Sequence, residues 1–495
     1  MILLLVLLSL SVSFLYYLFE HKRIKKSARF PPGPKGLPLI GNLHQFDPVR
    51  PHWSLHDLAK KYGPLMSMKF GCRSAIVVSS ARVAKLALKD NDLALSGRPQ
   101  LISLKKLTYN GSDITSSTYN ETWRGLRKIA LLHLFSVKQV ASLRPVRYDE
   151  VSCMIEDMIK KSNSNELINL SKAAFLLSNG FICRAGFGKR YDVDGNRKFD
   201  ELFKDIQGML GGFFVADYFP FLGWIDKLNG MNSKLDKVFR DLDMFIQELI
   251  DDHLDPNRPE SMHGDILDLL IGLKREQASS IEWDNIKGVL VDIFVAGSDT
   301  SAVVIVWAMT AMLKTPHAMK RAQEEVRNLV GNKGRVDEDD IQNLPYLKAI
   351  IKETFRLFPP APLSVPRETI EKCTIDGYEI ASKTLVHVNV YAIGLDPEYW
   401  ENPTEFIPER FLDSSIDYRG QDFGLLPFGS GRRGCPGINQ GIAIVELALA
   451  NLLYSFDWEL PHGMTKEDID METLPGINTC KKTDLCLVGK RYVHD

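Results

Sequence analysis

The stretch FGSGRRGCPG, from Phe428 to Gly437, decides how this 495-residue chain is interpreted. A single cysteine, Cys435, lies among glycines, with two arginines before it and a long apolar segment after it. Glycines allow positive φ angles and a close approach of backbone N–H groups to the sulfur. Such amides and a nearby positive charge favour a deprotonated thiol, so the pattern is typical of a metal-bound thiolate. A free buried cysteine in a loop is the alternative that this stretch alone leaves open.

The same glycines also spell GxGxxG, the pattern of dinucleotide-binding loops, at Gly429, Gly431 and Gly434. A dinucleotide fold needs a strand before this loop, a helix after it and a second half-domain beyond. Only 58 residues follow Gly437, which is too few to complete such a fold. We therefore exclude dinucleotide binding at this loop.

Four more motifs are spread widely along the chain. They are Trp123-x-x-x-Arg127, the stretch AGSDTS at Ala296–Ser301, Glu353-x-x-Arg356, and PERF at Pro408–Phe411. Together with the frame FxxGxRxCxG at Phe428–Gly437, they resemble the signature motifs of the cytochrome P-450 family, in the family's order. The proline-rich PPGP at Pro31–Pro34 and the form RRGCPG resemble the microsomal plant branch that works in specialised metabolism. This resemblance covers essentially the whole chain.

The resemblance implies the cytochrome P-450 fold, which is mainly α with small β-sheets and has one long central helix over a haem. Residues 284–314 are apolar nearly all round, which is typical of a helix buried in a large protein. Helical patterns also cover 52–62, 81–160, 166–185, 197–212, 232–254, 317–330, 338–342, 345–357 and 438–454. Strands are predicted at 66–70, 74–78, 365–368, 373–380 and 384–388.

Residues 1–19 form an almost unbroken apolar run, MILLLVLLSLSVSFLYYLF. As a helix, this run would span about 28 Å, close to the hydrocarbon thickness of a bilayer. Its basic residues follow at 21–26, which by the positive-inside rule places the rest of the chain in the cytosol. A cleaved signal peptide would carry its charges before the apolar run. We therefore expect a single-pass transmembrane signal anchor at 1–19, in the endoplasmic reticulum membrane. A basic and proline-rich hinge at 20–45 and a haem-thiolate catalytic domain at 46–495, facing the cytosol, would follow.

The resemblance also implies which residues hold the cofactor, haem b (iron protoporphyrin IX). Cys435 matches the axial thiolate ligand of the iron. Arginine suits the haem propionates because a guanidinium pairs with a carboxylate through two hydrogen bonds. The positions that match propionate contacts are Trp123, Arg127, Arg367 and Arg433, and those that match the loop around the cofactor are Phe428, Gly429 and Gly437.

The AGSDTS stretch interrupts the apolar pattern of the long helix. Gly297 weakens a helix by about 1 kcal/mol relative to alanine, so we expect it to give a flat cofactor and O₂ access to the backbone. In the family's oxygen-activation stretch, the Thr300 hydroxyl with the neighbouring acid Asp299 would relay protons. The alternative is that Thr300 only donates a hydrogen bond to a carbonyl one turn earlier.

Glu353 and Arg356 lie one helical turn apart, and Arg410 in the PERF motif resembles their third partner in the family. We predict a buried carboxylate that pairs with two guanidiniums behind the Cys435 loop. Loss of one member of such a network leaves a buried charge without its partner.

Segments that match the substrate-contacting regions of the family are 101–117, 205–213, 292–300, 361–366 and 474–478. Their residues are mostly apolar or small, for example Leu101, Ile102, Ile114, Leu210, Phe213, Phe294, Ala296, Leu363, Val365 and Ile477. We therefore expect a small hydrophobic plant metabolite as substrate, such as a terpenoid, alkaloid, phenylpropanoid or aldoxime.

Electrons would come from another protein, because the sequence has no credible flavin or nicotinamide site. The resemblance implies that NADPH is used indirectly, through an NADPH–cytochrome reductase flavoprotein. Candidate docking residues are Arg124, Lys128 and Arg432. A net charge of −1, from 61 basic and 62 acidic residues, gives no steering field for nucleic acid. The seven cysteines form no CxxC pair, which argues against structural zinc.

The sequence therefore predicts a membrane-anchored, haem-dependent monooxygenase that inserts one atom of O₂ into its substrate. Two alternatives stay open: an O₂-independent haem-thiolate isomerase or dehydratase, and a non-catalytic haem-binding sensor. The intact Thr300 disfavours the first, because such chemistry needs no proton relay. The apolar substrate segments together with the relay disfavour the second.

Overall fold

The structure is a computed structural model that describes residues 30–190, 197–259, 264–276 and 281–493, with only the backbone described at 197–200. The predicted anchor at 1–19 and the first part of the hinge lie outside the described residues. The proline-rich stretch is extended and joins the first sheet. Ser67 donates two hydrogen bonds to it, from its amide to Pro32 O (2.8 Å) and from its hydroxyl to Pro31 O (2.7 Å).

Helices dominate the described chain. In order they are α1 Pro51–Tyr62, α2 Ala81–Lys85, α3 Ile102–Leu107, α4 Glu121–Ile129, α5 Val137–Ser142, α6 Arg144–Asn163, α7 Leu170–Phe187, α8 Arg197–Leu210, α9 Val215–Tyr218, α10 Ile225–Leu228, α11 Met231–Leu254, α12 Ile266–Glu276, α13 Trp283–Lys314, α14 Pro316–Val330, α15 Glu338–Ile341, α16 Pro345–Leu357, α17 Val390–Gly394 and α18 Ile438–Ser455.

The central helix α13 has 32 residues and is about 48 Å long. It begins with a capping box between Glu282 and Asn285 and ends just before Pro316, which starts α14. It packs against α7, α16 and α18. The prediction of a long buried helix at 284–314 is confirmed.

Two helices among the described residues are long and apolar enough to cross a membrane, α13 and α18. Their most apolar windows are 72% and 67% buried inside the fold, respectively. Their apolar character is therefore accounted for by packing in the protein core.

Three small sheets complete the described architecture. The first has four strands in the order β1-β2-β7-β4, with β1 Leu65–Phe70, β2 Arg73–Val78, β7 Leu385–Val388 and β4 Arg367–Glu368. Only β2 and β7 pair in parallel in this sheet, with Ala75 opposite Leu385. The second has the order β3-β9-β8, with β3 Ile168–Asn169, β9 Cys486–Arg491 and β8 Phe456–Glu459. The third is a hairpin of β5 Cys373–Ile375 and β6 Tyr378–Ile380.

The sequence patterns missed the second sheet and α12, and they overestimated helix in 81–160. Two strands of the second sheet, β3 and β8, have only two and four residues and adjoin helices, so strand periodicity has little length in which to show. In 81–160, irregular segments at 91–101 and 108–120 separate the helices. Tyr109 and Asn110 both have positive φ there (54° and 63°), which ends α3 and turns the chain.

The predicted charge network is present behind the Cys435 loop. Arg356 donates two hydrogen bonds of 2.7 Å to the Glu353 carboxylate, and Arg410 Nε donates to Glu353 Oε1 at 3.1 Å. Remaining Arg356 N–H groups donate to the carbonyls of Gly394 (2.7 Å), Pro403 (2.6 Å) and Glu405 (2.8 Å). Glu353 and Arg356 are fully buried, so the network joins α16 to the irregular chain that precedes the loop.

Replacing Glu353 with alanine is expected to lower the free energy of unfolding by about 3–5 kcal/mol, because two guanidiniums lose their partner in the interior. The thermal unfolding midpoint of the purified variant measures this effect. Glu379→Ala, which removes the exposed pair with Lys372, serves as control and is expected to change stability by at most about 1 kcal/mol. Equal midpoints for the two variants would contradict a structural role for the network.

Candidate functional site

The Cys435 loop owes its shape to glycine. Gly429 and Gly431 have φ angles of 68° and 67°, a region that other residues rarely adopt. The Cys435 amide donates to Phe428 O at 2.8 Å, which closes the loop. Gly437 has φ −88° and caps the start of α18, so its role does not depend on a positive φ.

The side chain of Cys435 has accessible surface although protein atoms surround it closely. It therefore faces an internal space. Burial raises the pKa of the thiol, while the Gly437 amide and the Arg127 guanidinium act in the opposite direction. These two favourable effects were expected from the sequence, but burial outweighs them in the free thiol. A coordinating metal ion deprotonates a thiol outright.

Trp123 and Arg127 reach the loop from α4, whose N-cap Asn120 accepts a hydrogen bond from the Trp123 amide at 2.8 Å. The Arg127 guanidinium donates to the carbonyl of Gly434, the residue before the cysteine. The Trp123 indole N–H donates to Ile114 O at 2.8 Å, so its polar atom is used by protein. Both residues lie beside the Cys435 loop, with main-chain carbonyls as partners.

Arg433 is buried and lies 4.1 Å above the Trp123 ring. It donates to the carbonyls of Ser96 (2.7 Å) and Ser117 (2.7 Å). Burial and the nearby Arg367 lower the pKa of Arg433 to about 10.

Another buried arginine at the site, Arg98, was missed by the sequence analysis. Its guanidinium donates to the carbonyls of Thr115 (2.8 Å) and Val365 (2.7 Å). Burial lowers its pKa well below the usual value, and the charges of Arg433 and Arg367 add to the effect. A lone Gly97-Arg98-Pro99 gives no signal by itself, so only the fold could place it here.

Arg367 has an N–H group that forms no hydrogen bond with the described residues. It donates to Ser430 O at 2.8 Å through Nη2, but its buried Nη1 finds no hydrogen-bond acceptor among the described residues. The nearest carboxylate oxygen, Asp92 Oδ1, is 3.6 Å from Nη1, which is too long for a hydrogen bond. Burial lowers the pKa of Arg367 to about 10. Buried guanidiniums that crowd together with an unused N–H favour an anionic ligand.

The central helix borders the same internal space. Ala296 is exposed and Thr300 half-buried, although the residues on either side of this stretch are buried. A Cβ on Gly441 of α18 would lie 3.9 Å from Ser301 Oγ, so the helix that follows Cys435 packs beside this stretch. Gly297 faces the other way: a side chain there would collide with Ile182 of α7. The lack of a side chain at Gly297 therefore lets the two helices pack together. This corrects the expectation that Gly297 admits a ligand.

The side chains of Thr300 and Asp299 form hydrogen bonds with different partners. Thr300 Oγ1 donates to Ala296 O at 2.7 Å, the contact that the alternative interpretation foresaw. The Asp299 carboxylate accepts hydrogen bonds from Gln207 Nε2 of α8 (2.9 Å) and from Asn478 Nδ2 (2.9 Å). Burial raises the pKa of Asp299 to about 6, and the Asn478 hydrogen bond opposes this shift.

The predicted substrate-contacting residues differ in exposure, from the buried Ile114 to the exposed Ile477. Several are half-buried, as residues that line an internal space would be: Leu101, Ile102, Leu210, Leu363 and Val365. Two are placed elsewhere. Phe294 is fully buried against Phe203, at 5.5 Å between ring centroids. Phe213 is 51% exposed and stacks on Tyr218 at 5.0 Å. The exposure of each of these side chains therefore depends on the elements that pack around it.

Comparison with known proteins identifies the class. The sequence model of the cytochrome P-450 family matches residues 31–487. The chain therefore belongs to the cytochrome P-450 family. A zebra fish cytochrome P-450 solved with abiraterone has the same fold, with a TM-score of 0.75 at 23% identity over 90% of this chain and 100% of that one.

The similar curated proteins are plant enzymes. The chain is 46% identical over 497 residues to 6,7,8-trihydroxycoumarin synthase of Pastinaca sativa, which covers 98% of both chains. It is 46% identical to strychnine-11-hydroxylase of Strychnos nux-vomica, covering 98% of this chain and 97% of that one. It is 48% identical over 470 residues to cytochrome P-450 71A9 of Glycine max, covering 94% and 93%. The chain is thus a cytochrome P-450 monooxygenase of the plant branch, as the sequence motifs indicated.

Membership of this family implies a haem with a cysteine thiolate. The residues of the site fit such a group. The accessible thiol of Cys435 suits a metal ion, and the buried arginines with the unused Arg367 N–H suit two carboxylates. The small Ala296 leaves the facing helix open.

Replacing Asn478 with alanine removes the amide that donates to both Asp299 oxygens. Hydrogen bonds to the ionised form favour it, so we expect the pKa of Asp299 to rise from about 6 by roughly one unit. The carboxyl C=O infrared band, assigned by its loss in Asp299→Asn, measures this shift across pH. Asn257→Ala is the control, because that amide contacts only the exposed Asp255. An unshifted band in Asn478→Ala would show that the amide does not act on Asp299.

Proposed function

We propose that this enzyme is a haem b monooxygenase that transfers one atom of O₂ to a small hydrophobic plant metabolite. The observation that carries the proposal is the Cys435 thiol in its glycine loop, facing an internal space opposite the central helix. When bound, the haem supplies the iron at which O₂ is activated. The protein supplies the sulfur ligand, the charges that hold the porphyrin, and the proton path.

The thiolate role falls to Cys435, with the Gly437 amide and Arg127 stabilising negative charge on the sulfur. Phe428, Gly429 and Gly437 shape the loop around the cofactor. The carboxylate-binding role falls to Arg367 and Arg433, to which the structure adds Arg98. Trp123 and Arg127 support this role from α4, since their polar atoms bind the carbonyls of Ile114 and Gly434.

The proton path falls to Thr300 and Asp299. The Thr300 hydroxyl is accessible from the internal space, where it can hold a proton near O₂. Asp299 has a pKa of about 6, so it can exchange a proton near neutral pH. Since the two side chains point apart, Asp299 would have to leave Gln207 and Asn478, or act through water, to reach Thr300.

The substrate is proposed to be an aromatic or polycyclic metabolite. Similar enzymes carry names that refer to a coumarin and to strychnine, an alkaloid. The half-buried Ile102, Leu210 and Leu363 provide apolar contacts for such a molecule. These names favour phenylpropanoid-derived and alkaloid substrates over the terpenoids and aldoximes that the sequence also allowed.

Electrons are proposed to come from NADPH through a cytochrome reductase flavoprotein. Arg124 and Lys128 are exposed on α4, next to the Cys435 loop, and suit an acidic partner. Arg432 is less available, because its guanidinium is paired with Asp92. The sequence analysis had placed all three residues in the docking surface.

The enzyme is further proposed to lie on the endoplasmic reticulum membrane, with its catalytic domain in the cytosol. Three side chains of the α9–α10 region are mostly exposed: Phe221 (63%), Trp224 (56%) and Leu228 (77%). This region joins the N-terminal segment through the turn after β1: Cys72 donates to Tyr218 O at 2.8 Å, and Gly71 donates to Ile40 O at 3.2 Å. An apolar surface beside the predicted anchor is suited to lipid contact.

The proposal is tested by turnover. The purified chain with a plant reductase and NADPH is incubated with a panel of coumarins, other phenylpropanoids and alkaloids, and products are identified by mass. We expect a product that is one oxygen atom heavier, with ¹⁸O from labelled O₂. Cys435→Ser is expected to lose the absorption band that marks thiolate ligation in the carbon-monoxide complex, and all turnover. Cys486→Ser is the control and should keep both. A thiolate band in Cys435→Ser would overturn the assignment of the ligand.

Replacing Thr300 with alanine removes the accessible hydroxyl and leaves the helix intact. We expect product formation per NADPH consumed to fall at least about tenfold, because positioned proton donors contribute large rate factors. Thr300→Ser keeps a hydroxyl and should retain most of the coupling. Product yield and NADPH oxidation are measured together. Undiminished coupling in Thr300→Ala would show that the proton path does not use this hydroxyl.

A further inference from the structure

Two interior carboxyl groups are in contact outside the residues discussed so far: Asp113 is fully buried, and Asp292 keeps some accessible surface although protein atoms surround it. Asp113 lies in the segment Ser112–Ser117, which we name the 112–117 loop, and Asp292 lies in the middle of α13. The two side chains form a hydrogen bond with each other. Carboxyl groups in such contact cannot both be ionised, so they share one proton.

Both carboxyl groups accept hydrogen bonds from the loop. Both oxygens of Asp113 accept from Ser116, Oδ2 from its amide and Oδ1 from its hydroxyl, each at 2.8 Å. Asp292 Oδ2 accepts from the amides of Ile114 (2.7 Å) and Thr115 (3.3 Å). The Thr115 side chain also donates to this carboxyl, which carries the shared proton toward Asp113. Burial and the Asp113 charge raise the pKa of Asp292 well above its usual value, in agreement with this placement.

The loop is docked on one face of the central helix. Asn285 Nδ2 donates to Ser112 O at 3.2 Å, and a Cβ on Gly288 would lie only 2.8 Å from the same oxygen. Positions 285, 288 and 292 are three and four residues apart, so they follow one side of α13. Asp292 is the end of this contact nearest to Thr300.

The opposite side of the loop faces the arginines. The carbonyl of Thr115 accepts from Arg98 (2.8 Å), and that of Ser117 accepts from Arg433 (2.7 Å). The loop therefore presents N–H groups to the carboxyl pair and carbonyl groups to the cations. Each charge is satisfied by main-chain dipoles of the same short segment.

We propose that Asp113 and Asp292 are positioning residues: a proton-sharing carboxyl pair that locks the 112–117 loop against the central helix. The lock fixes the loop carbonyls that hold Arg98 and Arg433. Its effect on haem retention rests on the proposed function of those arginines, whereas the lock itself does not. Loss of the shared proton would place two like charges in contact and separate the loop from the helix.

Charged groups around the pair keep their own partners. Arg98 and Arg433 face it across the loop, with Arg367 behind them. Along α13, Lys287 pairs with Asp243 at 2.7 Å, Asp299 is bound by Gln207 and Asn478, and Asp284 lies beside Tyr109. Of these, Asp299 titrates at about pH 6. The shared proton is therefore expected to dominate the local response above pH 7 and below the pKa of about 10 of Arg367 and Arg433.

The sign of the pH dependence follows from proton binding. An aspartate in the unfolded chain ionises near pH 4, roughly, whereas the folded pair retains its proton to higher pH. The folded state thus holds one proton more, and the ratio of folded to unfolded protein falls up to about tenfold per pH unit. This fall continues until the folded pair also loses the proton. Asparagine at 292 imitates the protonated acid, since its amide can donate to Asp113 and its oxygen can accept from Ile114.

The experiment compares the holoenzyme of the native chain with Asp292→Asn, Asp113→Asn and Asp292→Leu between pH 6 and 9.5. Unfolding midpoints in urea, haem release times and hydrogen exchange of the 112–117 amides are measured at matched pH. Asp251→Asn, an exposed residue that contacts Gln247, is the control. We expect Asp292→Asn to be as stable as the native chain near pH 6. With rising pH the variant should lose less stability, because its unfolding releases one proton fewer.

The Asp113→Asn variant should be less stable than the Asp292→Asn variant, because asparagine has one oxygen for the two Ser116 donors. Asp292→Leu should expose the loop amides to exchange at every pH. Equal pH slopes for the native chain and Asp292→Asn, or Asp292→Asn as unstable as Asp292→Leu, would overturn the proposal. If the slopes and exchange differ as expected but haem release does not, the lock stands and the assigned role of the arginines fails.

Discussion

Buried guanidinium groups need hydrogen-bond acceptors, and this constraint shapes the parts of the protein around the site. Carbonyls inside a helix already accept from the helix itself, so the buried arginines find carbonyls at helix ends and in irregular chain. Arg356 takes the carbonyls of Gly394, Pro403 and Glu405, and Arg433 takes those of Ser96 and Ser117. Irregular segments and helix ends around the site therefore supply the acceptors that these cations need.

The two sides of the site are built on different principles. The sulfur side depends on backbone conformation, since Gly429 and Gly431 adopt angles that other residues avoid and so aim Cys435 inward. The helix side depends on side-chain size and packing. Ala296 opens one face of α13 to the internal space, while Gly297 lets α7 approach from another. On the helix side, substitutions are thus limited by the size of the new side chain. On the loop side, they are limited by the backbone angles that the glycines adopt.

Sequence patterns predicted those features that depend on neighbours close in the chain. The central helix shows its apolar surface over 32 residues, and the network of Glu353 with Arg356 follows from their spacing of one turn. The cysteine, its glycines and Trp123 with Arg127 were all found as local motifs. Weak local signals failed: α12 and the short strands β8 and β9 were not predicted, and Arg98 belongs to no motif that the sequence analysis recognised.

By itself, the sequence determined the class of protein, the cysteine that marks the site and the helix that faces it, because these are written in residue types a few positions apart. Only the tertiary structure decided where the polar side chains point. Asp299 binds Asn478, 179 residues away, in place of Thr300 beside it, and Asp113 meets Asp292 from a loop with no pattern of its own. Adjacent residues on a helix face different directions, so the partners of a buried polar group are chosen by the elements that pack against it.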